Sequence, residues 1–424
     1  MLKIVHATCC GIDIHNKFVV ATIAKTDPKG VTRYQTKEFK TFNHDLERLR
    51  EWLTKNECKQ VCMESTGKYW IPVFNYLENT CTVTLANPKY VKAINGKKTD
   101  KKDSRWIADL FKHDLVPGSY IPPKEIRMLR ELCRYENKLV ANRSSEKNRI
   151  QNSLTISNLA IANVVSDAFG KTASRIIEYV VNCDVFDPEH CKTLIDKKIK
   201  ASHDEIIKSV LGYNLMPSQA SKIRISQSHL NFIDNAVVNL NDTLDELTKP
   251  YESQIKILTS MVGVNEKSAV KIISEIGADM SVFASAKHLC SWAGLTPQNN
   301  ESAGKKKSSK ISRAGVYLKP LLVQCANAAI KSTKNSYFRD KFLKIKKRRG
   351  HKKAIIAIAR MMLTCIFHML SKGEMFAPSD VNYSDMPTEA FEKRRHKMIQ
   401  SAILLLQKQG FQISKTTDNE LLVS

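Results

Sequence analysis

Hydrophobic and polar residues alternate from the start of the chain. Val5, Ala7 and Cys9 run into Ile12 and Ile14, the triplet His15-Asn16-Lys17 interrupts the pattern, and Phe18 to Ile23 resumes it. A period of two belongs to strands with one buried face, so residues 3–24 predict a hairpin. A third strand is expected at about 32–42. The period then lengthens, with Leu46, Leu49, Trp52 and Leu53 at helical spacing. A short apolar strand over Gln60 to Met63 ends at Glu64 and a turn through Gly67. A helix at about 69–79 and a strand at 82–86 follow. A helix opening at Asp100, with Trp106, Ile107, Leu110 and Phe111 on its apolar side, completes this region.

Pro117, Pro122 and Pro123 mark a boundary. Beyond it, Ile126, Leu129, Leu132 and Leu139 keep a roughly heptad spacing through 124–159. Leu230, Ile233, Val237, Leu240, Leu244 and Leu247 do the same through 218–249. Two long helices follow from this, either paired as a hairpin or forming a dimerising coil. Residues 160–220 read as short helices, with loops near Asp187-Pro188 and Met216-Pro217. After Pro250, Leu258 to Asn265 and Ala269 to Gly277 give helix, tight turn at Gly263, helix. This is a helix-hairpin-helix-like element, whose turn amides can hold a DNA phosphate without reading bases. A plain αα-hairpin shares the pattern. Four segments result: an α/β domain at 1–118, a helical, coiled-coil-like linker at 119–255, a mainly α domain at 256–374, and a basic tail at 375–424. In the tail, Lys393 to Lys397 leads into a short helix through Ile399, Ile403 and Leu406.

Three strands, helix, strand, helix, strand, helix is the element order of the ribonuclease H-like α/β fold. In open α/β sheets, sites form outside the strand ends. Asp13 lies inside the first apolar strand, where an unpaired carboxylate is costly. Glu64 sits at the tip of the fourth strand. Asp100 and Asp103, three apart, share one face of a helix at the end where its dipole is positive. Any one of these reads as a cap or a surface acid. Four converging would repel strongly unless cations neutralise them. Two Mg2+ ions about 4 Å apart meet that need, with Mn2+ as a substitute. Lys97 and Lys98 beside the pair suit a phosphate.

At 424 residues, with 42% hydrophobic and 26% charged residues, the chain has the composition of a globular protein of two or three domains. What changes the picture is a net charge of +25, from 67 basic against 42 acidic residues. It calls for a polyanionic partner, most simply nucleic acid. A membrane-surface role would want a lipidation signal or a basic amphipathic terminus, and neither stands out. The longest apolar run, 354–370, is interrupted by Arg360 and His368, so no transmembrane helix is expected. No signal peptide is evident, which suggests the cytoplasm. The eleven cysteines are scattered. Cys58 and Cys62 lack a second pair to close a zinc site, so buried reduced thiols are expected.

Residues 294–319 read by composition as a flexible basic loop between helices. Within it, Ser302 precedes Ala303-Gly304, small residues that allow close approach of a ligand. Lys305, Lys306, Lys310 and Arg313 supply charge for phosphate oxygens. A serine attacking a phosphodiester needs such surroundings, although no general base is evident. Ser308, Ser309 and Ser312 are alternative candidates.

The stretches GIDIHNKF, MESTGKYW, NGKKTDKKDSRWIADL and WAGLTPQNNESAGKKKSSKISRAGVYLKPLL, in that order, resemble the IS110 family of insertion-sequence transposases, the Piv-invertase-like group. The resemblance spans residues 5 to about 115 and 256 to about 372. It implies a RuvC-like DEDD nuclease domain joined to a transposase domain with a nucleophilic serine. By position, the acids would be Asp13, Glu64, Asp100 and Asp103, and the serine Ser302. It also implies donor and target DNA as substrates, a non-coding bridge RNA as guide, and a homo-oligomer, a dimer that becomes a tetramer in the synaptic complex. Action at the prokaryotic nucleoid would follow. The middle segment, about 125–250, and the tail depart from compact members. Two other readings compete: a RuvC-like structure-selective, metal-dependent endonuclease without covalent serine chemistry, and a nucleic-acid-binding protein with a decayed site.

Overall fold

The computed structural model describes residues 2–65, 67–91, 100–297, 300–302, 305–308, 310–333, 337–377, 400, 413–415 and 421–423. Lys97 and Lys98 lie outside these, as does the expected basic helix of the tail apart from Gln400. The chain divides into two compact units, Met1–Pro122 and Pro123–Ser424.

In the first unit, β1 (Thr8–Ile14), β2 (Phe18–Thr26) and β3 (Thr32–Lys40) form an antiparallel meander. Next come α1 (Asn43–Lys55), β4 (Gln60–Glu64), α2 (Trp70–Leu77), β5 (Thr82–Ala86), the short α3 (Pro88–Val91), α4 (Asp100–Lys112) and β6 (Gly118–Ser119). The sheet order is β3-β2-β1-β4-β5-β6, with β4 and β5 parallel to β1 and β6 antiparallel at the edge. The expected element order holds. The short α3 and edge strand β6 are additions that two to four residues of pattern could not signal.

Strand alternation sorts β1 into two cores. Cys10, Ile12 and Ile14 join Leu46, Leu49, Trp52 and Leu53 of α1 and Val73, Phe74 and Leu77 of α2 on one face. Cys9 joins Cys62, Ala86, Ile107, Ala108 and Phe111 on the other, under α4. Cys58 and Cys62 therefore belong to opposite faces and share no ligand site. Burial pushes both thiols up to about 12, so they are inert packing groups.

The second unit opens with α5 (Lys124–Ile156), which pairs with α9 (Pro217–Thr248). Arg143 bridges to Asp234, 2.6 Å from its carboxylate, and Glu146 receives both Arg149 and His229. The two heptad-patterned helices thus partner each other within one chain. Between them, α6 (Lys171–Asn182), α7 (Pro188–Thr193) and α8 (His203–Val210) close a small apolar core around Ile176, Ile206 and Ile223 at the end of the long pair.

The C-terminal helices are α10 (Glu252–Thr259), α11 (Glu266–Ile276), α12 (Ala286–Trp292), α13 (Leu318–Lys331), α14 (Tyr337–Arg349) and α15 (His351–Lys372). Two short strands, β7 (Asn300–Ser302) and β8 (Lys305–Ser308), lie between α12 and α13. In the tail, β9 (Ile413–Lys415) pairs with β10 (Leu421–Val423). α15 is the one described helix long and apolar enough to cross a membrane. It packs against α12, α13 and α14, burying Ala354, Ile358, Met362 and Ile366, as a core helix does.

One position governs how the first unit closes. A Cβ on Gly11 would fall 2.3 Å from the Ala108 nitrogen and 2.3 Å from the Ser104 carbonyl oxygen, both backbone atoms of α4. Gly11→Ala must push the helix off the strand. We expect a loss of about 1–3 kcal/mol, typical of overpacking, measured by chemical denaturation. Stability equal to the parent would show that α4 does not sit against β1 at this point.

Candidate active site

Asp13 is one residue from the end of β1 and faces α4, because Cys9 and Gly11 do. It is 9% exposed. In the parallel pairing of β1 with β4, Ile12 is level with Met63, so Glu64 comes level with Asp13 one residue on. Glu64 is two beyond Cys62 on the same face. The first turn of α4 supplies Asp100 and Asp103. That turn is held in place by the Ser104 hydroxyl, buried and 2.7 Å from the Thr22 hydroxyl of β2, and by Trp106, whose Nε1 donates to the Val91 carbonyl at 3.0 Å.

The structure brings a further residue here. His15, which the sequence pattern assigns only to the turn, has its Nε2 3.1 Å from Asp13 Oδ2 and 3.4 Å from Asp100 Oδ1. Donor atoms of Asp13, His15 and Asp100 all lie within 4.8 Å of one another. Glu64 and Asp103 stand outside that tight group. The signal that could have found His15 is its spacing: two residues past Asp13, it leaves the strand on the same face.

Burial raises the Asp13 carboxyl above the ordinary aspartate range. His15 opposes the shift, while Asp100 and Asp103 add to it. A buried carboxylate facing two more is electrostatically uncomfortable, which is the condition a divalent cation relieves. Hard carboxylate oxygens converging at a strand end fit such an ion.

Ser302 belongs to the second unit. The segment expected as a loop folds back as a hairpin: Ser302 pairs with Lys305, Glu301 with Lys306 and Asn300 with Ser308, with an irregularity between Asn300 and Glu301. Pro297 bridges to Ile311 below it. The base is closed by two Ala-Gly pairs. A Cβ on Gly294 (φ +68°) would meet the Ala314 carbonyl oxygen at 2.5 Å, and one on Gly315 (φ +67°) would meet that of Ala293 at 2.1 Å. Only glycine allows both the left-handed backbone and this contact. Lys319 Nζ donates to the carbonyls of Ser312 (2.7 Å) and Ala314 (3.0 Å), and the Ala314 N–H donates to the Ser312 hydroxyl. Ser312 is thereby part of the closure. Lys310 and Arg313 follow β8 with exposed side chains.

Beside that base, Arg134 of α5 lies over the Tyr317 ring, 4.5 Å from its centroid, and makes a bidentate pair with Glu275 at 2.7 and 2.8 Å. Arg130 donates to the carbonyls of Ser274 and Glu275 at the end of α11. Gly263 (φ +89°) joins α10 to α11. Its Cα side is pressed on α13, where a Cβ would meet the Cys325 carbonyl oxygen at 2.4 Å and Ala329 N at 2.7 Å. That contact accounts for a glycine here on packing grounds.

A sheet of this order, with acids at the ends of β1 and β4 and on the capping helix, is consistent with a RuvC-like DEDD domain. Comparison with known families agrees. Residues 10–158 match the family model described as the DEDD transposase of IS110, and residues 255–342 match the one described as transposase IS116/IS110/IS902 family. Together they cover just over half of the chain. Two insertion-element proteins are similar along most of their length. The IS116 uncharacterized 44.8 kDa protein of Streptomyces clavuligerus is 25% identical over 313 residues, 66% of this chain and 73% of its own. The IS900 uncharacterized 42 kDa protein of Mycobacterium paratuberculosis is 24% identical over 305 residues, with the same coverage. The chain belongs to the IS110 family of transposases, a class that acts on DNA and whose DEDD domain implies a divalent metal.

The raised Asp13 carboxyl gives a signed expectation. An aspartate whose folded pKa lies above its unfolded one loses stability as pH rises through that interval, so at neutral pH the charged Asp13 destabilises the metal-free fold. Asp13→Asn should raise the melting temperature of metal-free protein and abolish the further rise that divalent metal brings the parent. A variant less stable than the parent without metal, or still stabilised by metal, contradicts this account of the site.

Proposed function

We propose that the protein is an insertion-sequence transposase that cleaves and rejoins DNA through two sets of groups: the acids Asp13, Glu64, Asp100 and Asp103, and the nucleophile Ser302. The observation that supports this most is the gathering of Asp13 and Asp100 with His15 at the end of β1, with Glu64 level on the neighbouring strand. Divalent ions, Mg2+ in the first instance and two of them for four carboxylates, would supply charge neutralisation and polarisation of the phosphodiester.

The chain's own part is to hold the phosphate and deliver the hydroxyl. The Ser302 Oγ attacks phosphorus, the bond from phosphorus to the leaving sugar oxygen breaks, and a phosphoserine joins protein to DNA. Attack by a second DNA hydroxyl on that phosphoserine reverses the step and rejoins the strands. The Oγ proton leaves as the new bond forms, and the departing oxygen takes one up. Lys305, Lys306, Lys310 and Arg313 would meet the extra negative charge on the phosphoryl oxygens. Lys97, Lys98 and the Gly263 turn are proposed as further backbone contacts. A net charge of +25 supports extensive phosphate contact with donor DNA, target DNA and a non-coding bridge RNA. Action in the prokaryotic cytoplasm, at the nucleoid, goes with this reading.

Trapping the covalent intermediate tests it. With a nicked or suicide DNA substrate, the parent should yield a protein–DNA adduct that survives denaturation, and Ser302→Ala should yield none. Metal-dependent cleavage that persists in Ser302→Ala would instead favour a RuvC-like endonuclease without serine chemistry. Failure of both reactions in the parent would favour a binding protein.

If each working site takes its acids from one protomer and its serine from another, two dead variants should rescue each other. A mixture of Asp13→Asn and Ser302→Ala chains, with subunit exchange verified by different tags, should then recover cleavage. A mixture that exchanges subunits yet stays dead rules the shared site out.

A further inference from the structure

The four acids leave one group at the site unexplained. His15 begins the turn between β1 and β2, and its N–H donates to the Phe18 carbonyl at 2.9 Å. Its ring rests on the Phe18 ring, with centroids 4.7 Å apart. Held from both sides, the imidazole points Nε2 between Asp13 Oδ2 and Asp100 Oδ1. The side chain is 40% exposed. Its pair with Asp100 is exposed on both sides and contributes little to stability, while its pair with Asp13 offsets only part of that carboxylate's burial.

The distances fit a different role. Donors sharing an octahedral ion at about 2.1 Å stand about 3 Å apart when adjacent and about 4 Å when opposite. The two separations from His15 Nε2, 3.1 and 3.4 Å, fall in that range, and all three donors lie within 4.8 Å of one another. We infer that His15 is a nitrogen ligand of the divalent ion held by Asp13 and Asp100, and that it biases the site toward first-row transition metals such as Mn2+ over Mg2+. The inference rests on the metal-binding reading of the acids given above.

The selectivity follows from donor chemistry. Mg2+ takes oxygen ligands and gives up its water reluctantly. Imidazole nitrogen binds first-row transition ions more strongly, so exchanging a water for Nε2 gains more with those ions than with Mg2+. The carboxylates add charge, which draws both kinds of ion alike. A single histidine among acids therefore tunes which ion occupies the site, while the acids decide that one does.

The experiment uses the full chain loaded with Mn2+ and read by electron spin-echo envelope modulation. The parent should show modulation from a directly bound 14N, replaced by the 15N pattern when the protein is grown with 15N-histidine. That control needs no mutation. His15→Gln and His15→Ala, checked for folding by circular dichroism, should lose the modulation. Each should still bind Mn2+, with affinity lowered about tenfold or more, and lose less affinity for Mg2+ by calorimetry. Mn2+ that is lost in Asp13→Asn yet shows no nitrogen coupling in the parent overturns the role of His15 alone. Coupling that persists in both His15 variants does the same. An equal loss of Mg2+ and Mn2+ affinity overturns the selectivity. No bound Mn2+ in the parent overturns the metal reading along with this inference.

Discussion

The first unit depends on a helix lying closer to a strand than side chains ordinarily permit. At Gly11 the backbone of α4 occupies the space where a Cβ would be. The close approach lets the Ser104 hydroxyl reach Thr22 across β2, and it sets the first turn of α4 over the end of β1. Asp100 is thereby brought into one group with Asp13 and His15, and Asp103 lies near enough to add its charge. Each acid is on a rigid element, and their relative placement is decided at a residue that carries no chemistry. Repulsion among the carboxylates pushes against this arrangement. Ile107, Ala108 and Phe111, buried against Cys9, Cys62 and Ala86, hold the helix down. Burying that much apolar surface contributes several kcal/mol at about 25 cal/mol per Å².

The serine-bearing segment uses the same device in another form. Gly294 and Gly315 let two chain segments touch backbone to backbone, with Lys319 closing over the carbonyls. The strands above are short and almost wholly polar, so no apolar core of their own can hold them. Their geometry is set from the base upward.

This contrast explains what was legible in the sequence. β1 to β5, α1 and the pairing of α5 with α9 rest on periodic burial, and periodicity is visible in one dimension. The positions of Asp13 near the end of β1, Glu64 at the end of β4, and Asp100 and Asp103 in the first turn of α4 were legible from the same patterns. β7 and β8 were not. NES and KKKS carry no alternation, and the contacts that shape them join Ala293-Gly294 to Ala314-Gly315, twenty-one positions away. His15 was hidden for a different reason. In a turn of His-Asn-Lys, a polar residue is the ordinary choice, and only the position of α4 reveals what it faces. Gly263 shows the converse. A glycine in a tight turn suggested phosphate, and the structure supplies a packing reason in α13.

Within the second unit, the first helix is bound to the base of the serine hairpin by charge as well as by apolar contact. Glu275 is 5% exposed, and its carboxylate is satisfied by the Arg134 fork. Removing Arg134 would leave the buried Glu275 carboxylate with only Arg130, 4.0 Å away, as a cationic neighbour among the described residues. Arg134 also covers Tyr317, two residues beyond Gly315. Arg130, one turn earlier, takes the last carbonyls of α11. A displacement of the N-terminal half of α5 therefore cannot occur without breaking this cluster or carrying the hairpin's base along. α5 begins at Lys124, directly after the acid-bearing unit ends at Pro122. The covalent path from the acids to the serine is nearly two hundred residues long by sequence, through α9 and the helices beyond. Within the second unit, the Arg134–Glu275 pair ties α5 to the end of α11 about three turns into the helix, so the base of the hairpin is fixed to α5 directly rather than only through the chain between them.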